Sequence, residues 1–180
     1  MKQPFEVNKI LIPVDFSETS MLALEHAAKF CGKFSSKLHL IHVYRGRDVD
    51  VLPEIGLGST DHESIKKNVI QQLEKLAAGF SSDYGITVDI EIREGNIARE
   101  ISTAANEAEA DMIVMGTHGT SGFEEFFIGS NSYKVVTASP LPVLTVQKHT
   151  KSKDYKNIFL GIDSSTHTRD KVSHVASLAE

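Results

Sequence analysis

Apolar residues along this chain switch repeatedly between two spacings, and the switches lay out strands alternating with helices. Residues 10–14 form an unbroken apolar, β-branched run, the pattern of a strand buried on both faces. Ser17 then stands where a helix cap is needed. Leu24, Ala27, Ala28 and Cys31 give the helix after it an apolar face, with Gly32 as its expected end. Residues 38–44 read as a second strand and 45–59 as a long loop. Thr60-Asp61-His62-Glu63 is a capping box opening a helix with Ile65, Val69, Leu73 and Leu76 at helical spacing, its end bracketed by Gly79 and Gly85. Residues 86–92 alternate apolar and polar, as an edge strand does. Asn96 caps a helix from Ile97 to about Ala108. A strand at 111–115, a helix at 130–138 and a strand at 143–146 complete the series, with Pro140 and Pro142 keeping the approach to the last strand out of the helical region.

Strands alternating with helices predict an α/β fold, a three-layer sandwich around a parallel sheet with right-handed crossovers. Ligands of such sheets sit beyond the carboxyl ends of the strands, where the strand order reverses. The chain has 180 residues, 41% of them hydrophobic, enough for one packed domain and part of another. The net charge is −5, with no basic stripe, which argues against nucleic acid as a main partner. The one cysteine, Cys31, excludes an intrachain disulfide and sits in an apolar stretch as a small core residue. The first residues carry no apolar leader, and no run approaches the roughly 20 apolar residues of a membrane span, so the expected location is the cytoplasm, without membrane attachment.

The chemistry concentrates at Met115-Gly116-Thr117-His118-Gly119, with Gly129-Ser130 beyond it: G-x2-G-x9-G-S after an apolar strand. Glycines past a strand end let backbone N–H groups approach a ligand, and Gly129-Ser130 opens a helix whose free N–H groups suit a phosphate. This spacing resembles the nucleotide-binding loop, last helix and last strand of the universal stress protein family. A second match is the run 9–17, KILIPVDFS, with Pro13, Val14 and Asp15 at the end of the first strand. The resemblance covers residues 4–148. It implies a five-stranded sheet in the order 3-2-1-4-5, related to the adenine nucleotide α-hydrolase and Rossmann-like folds, and a stress-response protein holding ATP or AMP. It also implies contacts to the nucleotide from Pro13, Val14, Asp15, Val43, Met115, Gly116, Thr117, His118, Gly119, Gly129, Ser130, Asn131 and Ser132, with the backbone of Val43 at the adenine edge. Pairing as a homodimer, or between tandem domains, through residues 141–146 follows from the same resemblance.

Each residue also has a plainer reading. Asp15 serves equally as a helix cap or loop-closing carboxylate, the three glycines as turn residues, and Ser130 and Ser132 as caps rather than phosphate donors. His118 sits in the loop with no carboxylate placed by sequence to orient it. Family loops often carry Lys or Arg just after the second glycine; here Thr120-Ser121-Gly122 follows, then Glu124-Glu125, and carboxylates facing polyphosphate weaken binding. Neither G-x4-G-K-[ST], G-x-G-x-x-G nor G-x-S-x-G occurs, and His39 and His42 point to opposite faces of their strand, so no metal pair forms there. Magnesium would find no dedicated ligands. The expectation is a nucleotide-dependent regulator with at most slow ATP hydrolysis. The alternatives are an association module with a vestigial pocket, or a nucleotidyl-transfer enzyme on the same sheet.

The tail repeats the beginning. After a polar, lysine-rich linker at 149–155, the run 157–165, NIFLGIDSS, echoes 9–17, and 171–179 echoes the first helix. Residues 156–180 therefore read as an incomplete second repeat, a strand and a helix that cannot bury their own apolar faces. They are expected first to dock on the first domain, the strand pairing with an existing sheet edge while the helix covers apolar surface; the alternatives are a swap onto a neighbouring chain, or disorder with aggregation.

Overall fold

A computed structural model of the chain describes residues 5–45, 62–117, 129–150 and 157–161, with Val172, Val175 and Ala176. The elements alternate as expected: β1 (Lys9–Pro13), α1 (Glu18–Phe34), β2 (Lys37–Tyr44), α2 (His62–Tyr84), β3 (Val88–Glu94), α3 (Ile97–Glu107), β4 (Met112–Gly116), α4 (Ser130–Ala138) and β5 (Val143–Val146). The five strands form one parallel sheet in the order β3-β2-β1-β4-β5. The capping box at 60–63 lies largely outside the described residues.

Side-chain alternation sorts the core into two layers. Ile10, Ile12, Leu38, Leu40, Met112, Val114 and Val146 pack with α1 and α2 on one face. Leu11, Ile41, Ile113 and Met115 pack with α3 and α4 on the other. β1 sits centrally, with Ile10, Leu11 and Ile12 all fully buried. At its start, the Asp111 carboxylate accepts hydrogen bonds from the backbone N–H groups of Asn8 (2.7 Å) and Lys9 (2.9 Å), locking β1 to the entrance of β4.

One helix runs further than its glycine suggested, and another ends inside the bracket that its two glycines set. α1 passes through Gly32 and ends at Ser35, which takes the left-handed conformation (φ 55°) and donates its N–H to Cys31 O. α2 passes through Gly79 and stops before Gly85, at φ 65°. A glycine inside a helix is unfavourable by only about 1 kcal/mol relative to alanine, which packing of Leu73 and its neighbours overrides. What ends each helix is the residue that turns left-handed.

Candidate functional site

β1 and β4 are neighbours in the sheet, yet the chain leaves β1 toward β2 and leaves β4 toward β5. The carboxyl ends of β1 and β4 therefore border the crevice where the strand order reverses. Both halves of the sequence motif end there.

On the β1 side, Pro13 ends the strand half-buried, and Val14 is buried among the α1/α2 layer. Val14 N–H donates to Ile41 O at 2.8 Å, holding the strand end against β2. Asp15 closes the turn into α1: its Oδ1 accepts from the Ser17 N–H at 3.0 Å and the Ser17 hydroxyl at 2.5 Å. Ser17 caps α1 by accepting from Ser20 N–H at 3.3 Å. The loop-closing role of Asp15 is thus present in the fold, with Oδ1 committed to it. Phe16 between them sits at φ 62°, a left-handed conformation that the Asp15–Ser17 bonds hold in place.

On the β4 side, Met115 is buried in the α3/α4 layer and Gly116 ends the strand. A Cβ on Gly116 would lie 2.8 Å from the carbonyl carbon and 2.9 Å from both the O and Cβ of Thr19. The absence of a side chain at Gly116 therefore serves the packing of α1 against β4, a purpose distinct from the ligand approach its motif suggested. Thr19 Oγ1 is 3.2 Å from Ser17 Oγ. Asp15, Ser17, Thr19 and Gly116 form one continuous line of contacts, and through it the structure brings the two motifs together.

Thr117 is buried, with its N–H donating to Val146 O (2.9 Å) and its O accepting from Gly129 N–H (2.7 Å). Gly129 occupies the cap position of α4, and among the described residues no side chain caps that helix. Ser130 is exposed and Asn131 half-buried at its first turn. Ser132 is buried; its hydroxyl donates to Gly116 O at 2.9 Å and approaches Thr117 O at 3.3 Å. Ser132 thus has its hydroxyl turned to the protein. Val43 packs its side chain into the α3/α4 layer. His118 and Gly119 lie outside the described residues.

His42, considered in the sequence only as a metal ligand, has a place at the strand end that the sequence did not indicate. It is buried, its Nδ1 lies 2.7 Å from Val14 O, and its ring is 5.4 Å from that of Phe16. Nδ1–H donates to that carbonyl, which assigns the tautomer. Burial pushes its pKa below the usual histidine value, while the Val14 carbonyl and the nearby Asp15 carboxylate pull the other way. Its signal in sequence was only a polar residue at an inward position of β2. His39 faces the other side and meets Glu91 Oε2 at 2.9 Å, so the two histidines are separate, as expected. Cys31 is buried and its pKa is pushed up to about 12, which keeps the thiol unreactive. Among the described residues no cluster of three metal-ligating side chains occurs, and no helix is long and apolar enough to cross a membrane.

Residues 6–147 match the model of the universal stress protein family. The chain is 35% identical over 148 residues to a universal stress protein of Methanocaldococcus jannaschii, covering 79% of this chain and 84% of that one. The chain belongs to the universal stress protein family. A universal stress protein of Mycolicibacterium smegmatis is 27% identical over 170 residues, which span 92% of this chain and 57% of the relative. The universal stress protein of Archaeoglobus fulgidus, solved in complex with dAMP, shares the fold: TM-score 0.57 at 18% identity, over 79% of this chain and 99% of that one.

Proposed function

We propose that this universal stress protein binds an adenine nucleotide, ATP or AMP, in the crevice between the ends of β1 and β4, and acts as a nucleotide-dependent regulator in the cytoplasm. The observation that carries this reading is the start of α4. Among the described residues no side chain caps its first-turn N–H groups, whereas Ser17 caps α1 and Asn96 caps α3. An uncapped helix start with its positive dipole end at a switch point suits a phosphate. The base would lie toward Pro13 and the backbone of Val43, with the phosphates at Gly129, Ser130 and Asn131. In the related A. fulgidus protein an adenine nucleotide is bound, and the extension of that ligand to this chain is part of the proposal.

Pairing through residues 141–146 belongs to the same reading. β5 is an edge of the sheet, and Tyr133 and Val136 of the adjoining α4 are 60% and 42% exposed. An apolar edge strand left bare invites pairing. The commitment of Asp15 Oδ1 and the Ser132 hydroxyl to protein partners favours the second reading, an association module whose pocket is vestigial.

Calorimetry with ATP on the wild type and Ser130→Pro separates them. Ser130 is the first residue of α4, where proline is tolerated, and proline deletes its N–H. The expected result is binding by the wild type, weakened about tenfold in the variant with thermal stability retained, since a charge-assisted hydrogen bond contributes about 1.5–3 kcal/mol. A wild type that binds neither ATP nor AMP, and releases none on denaturation, overturns the nucleotide reading.

A further inference from the structure

Ser132 lies third in α4, at the helix turn expected to meet phosphate, yet its hydroxyl faces inward. A serine hydroxyl has one hydrogen to donate. Here that hydrogen is directed to Gly116 O at 2.9 Å, with Thr117 O at 3.3 Å. Thr117 is tied on both sides, its N–H to Val146 O at 2.9 Å and its O to Gly129 N–H at 2.7 Å. The end of β4 and the start of α4 are thereby joined by two independent links, one from the Gly129 backbone and one from the Ser132 side chain. Gly116 itself is packed against Thr19 of α1, so the β4 end is held by α1 as well as by α4.

We infer that Ser132 is a positioning residue of the phosphate end: its hydroxyl holds the first turn of α4 against β4, and it donates no hydrogen bond to the ligand. This rests on the nucleotide reading for its consequence in binding, but the link itself is a property of the ligand-free protein. Losing it removes the hydroxyl donor from the Gly116 carbonyl, leaves Thr117 O with the Gly129 N–H alone, and frees the first turn of α4 to move. The N–H groups offered to a phosphate then lose their fixed spacing. The adenosine end, against Pro13 and Val43, does not depend on it.

The test combines amide exchange on the ligand-free protein with calorimetry using ATP and adenosine, on the wild type, Ser132→Ala and Ser132→Thr. In Ser132→Ala, the Gly129 amide should exchange at least about tenfold faster while amides of β1 and β2 stay as in the wild type. ATP affinity should fall about tenfold and adenosine affinity should not change. Ser132→Thr, which keeps the hydroxyl, should restore both. Lost ATP affinity with Gly129 exchange unchanged would mean that Ser132 donates to the phosphate directly, and the inference fails. Faster exchange with full ATP affinity fails it equally, because the link then positions nothing. A wild type that binds no ATP removes the nucleotide reading alone, and the exchange experiment still decides for or against the link.

Discussion

At the scale of single residues, the same substitution should have opposite signs at two glycines. A Cβ at Gly116 falls within 2.9 Å of Thr19 backbone and side-chain atoms, a separation real side chains do not adopt. Gly116→Ala must push α1 away from β4, and overpacking of this kind destabilises by about 1–3 kcal/mol. At Gly79, exposed on α2, an added Cβ meets nothing within 4 Å. Gly79→Ala should therefore stabilise the protein by about 0.5–1 kcal/mol through helix propensity and lost unfolded-state freedom. Urea denaturation of both variants checks the pair, and a stabilised Gly116→Ala would show that Thr19 does not hold its place. His42 supplies a pH dependence. Burial holds its folded pKa below the unfolded value near 6.5. Between those values the unfolded chain binds the proton and the folded chain does not, so stability falls as pH drops through about 6.5 toward the folded pKa. The wild type should lose more stability than His42→Gln between pH 7.5 and 5.5. Equal losses would mean that other groups carry the slope.

At the scale of elements, the edge strand β3 shows what a polar alternation conceals. Val88, Ile90 and Ile92 face the α1/α2 layer, as the pattern indicated. On the other face Arg93 donates from Nε to Glu91 Oε1 at 2.5 Å, pairs with Glu107, and stands 3.8 Å from Glu100, which ties β3 to α3. Arg93 is only 17% exposed, so its removal leaves three carboxylates gathered without their cation. Arg93→Met should destabilise by about 1–2 kcal/mol in low salt and less in 1 M NaCl, where screening weakens the carboxylate repulsion. A loss independent of salt would assign the effect to packing of the arginine stem. Strands, helices and their order were legible because the period of apolar residues is a local property of the chain. The end of α1 was misread at Gly32 because a glycine stops a helix only when the backbone turns left-handed there, which Ser35 does instead, whereas α2 ends inside the bracket of Gly79 and Gly85, at the left-handed Gly85. The strand-end candidates were legible for the same local reason. The contact of Gly116 with Thr19 and the inward turn of Ser132 were not, since they depend on how α1 and α4 approach β4.

At the scale of the whole molecule, the tail carries the largest contrast between sequence and surroundings. Its run 157–161 aligns with 9–13 of β1, identical at Ile158 and Ile10 and apolar at the next two positions of both. Ile10 and Leu11 are fully buried, while their counterparts Ile158 and Phe159 are 41% and 96% exposed. Residues 157–161 also form no strand, so the expected docking of this segment as an added strand on its own sheet is not what these residues show. The match to the M. smegmatis relative runs over 170 residues, beyond the first domain, and covers 57% of that protein's length. We therefore propose that 156–180 is the opening of a second stress-protein repeat after the linker at 149–155, written for a central strand whose neighbours a second domain or a second chain must supply. The two equivalent positions should then respond differently. Leu11→Ala opens a cavity in the sheet centre and should cost about 2–5 kcal/mol. Phe159→Ala removes a ring already in water and should change stability by less than about 0.5 kcal/mol, while reducing self-association at high protein concentration. Amide exchange across 157–161 reads the same question directly. Rates near those of an unstructured chain support the unpaired repeat. Strong protection at micromolar concentration, lost in Phe159→Ala along with several kcal/mol of stability, would mean that the tail is already docked, and the second-repeat proposal would have to yield to a tail that completes this domain.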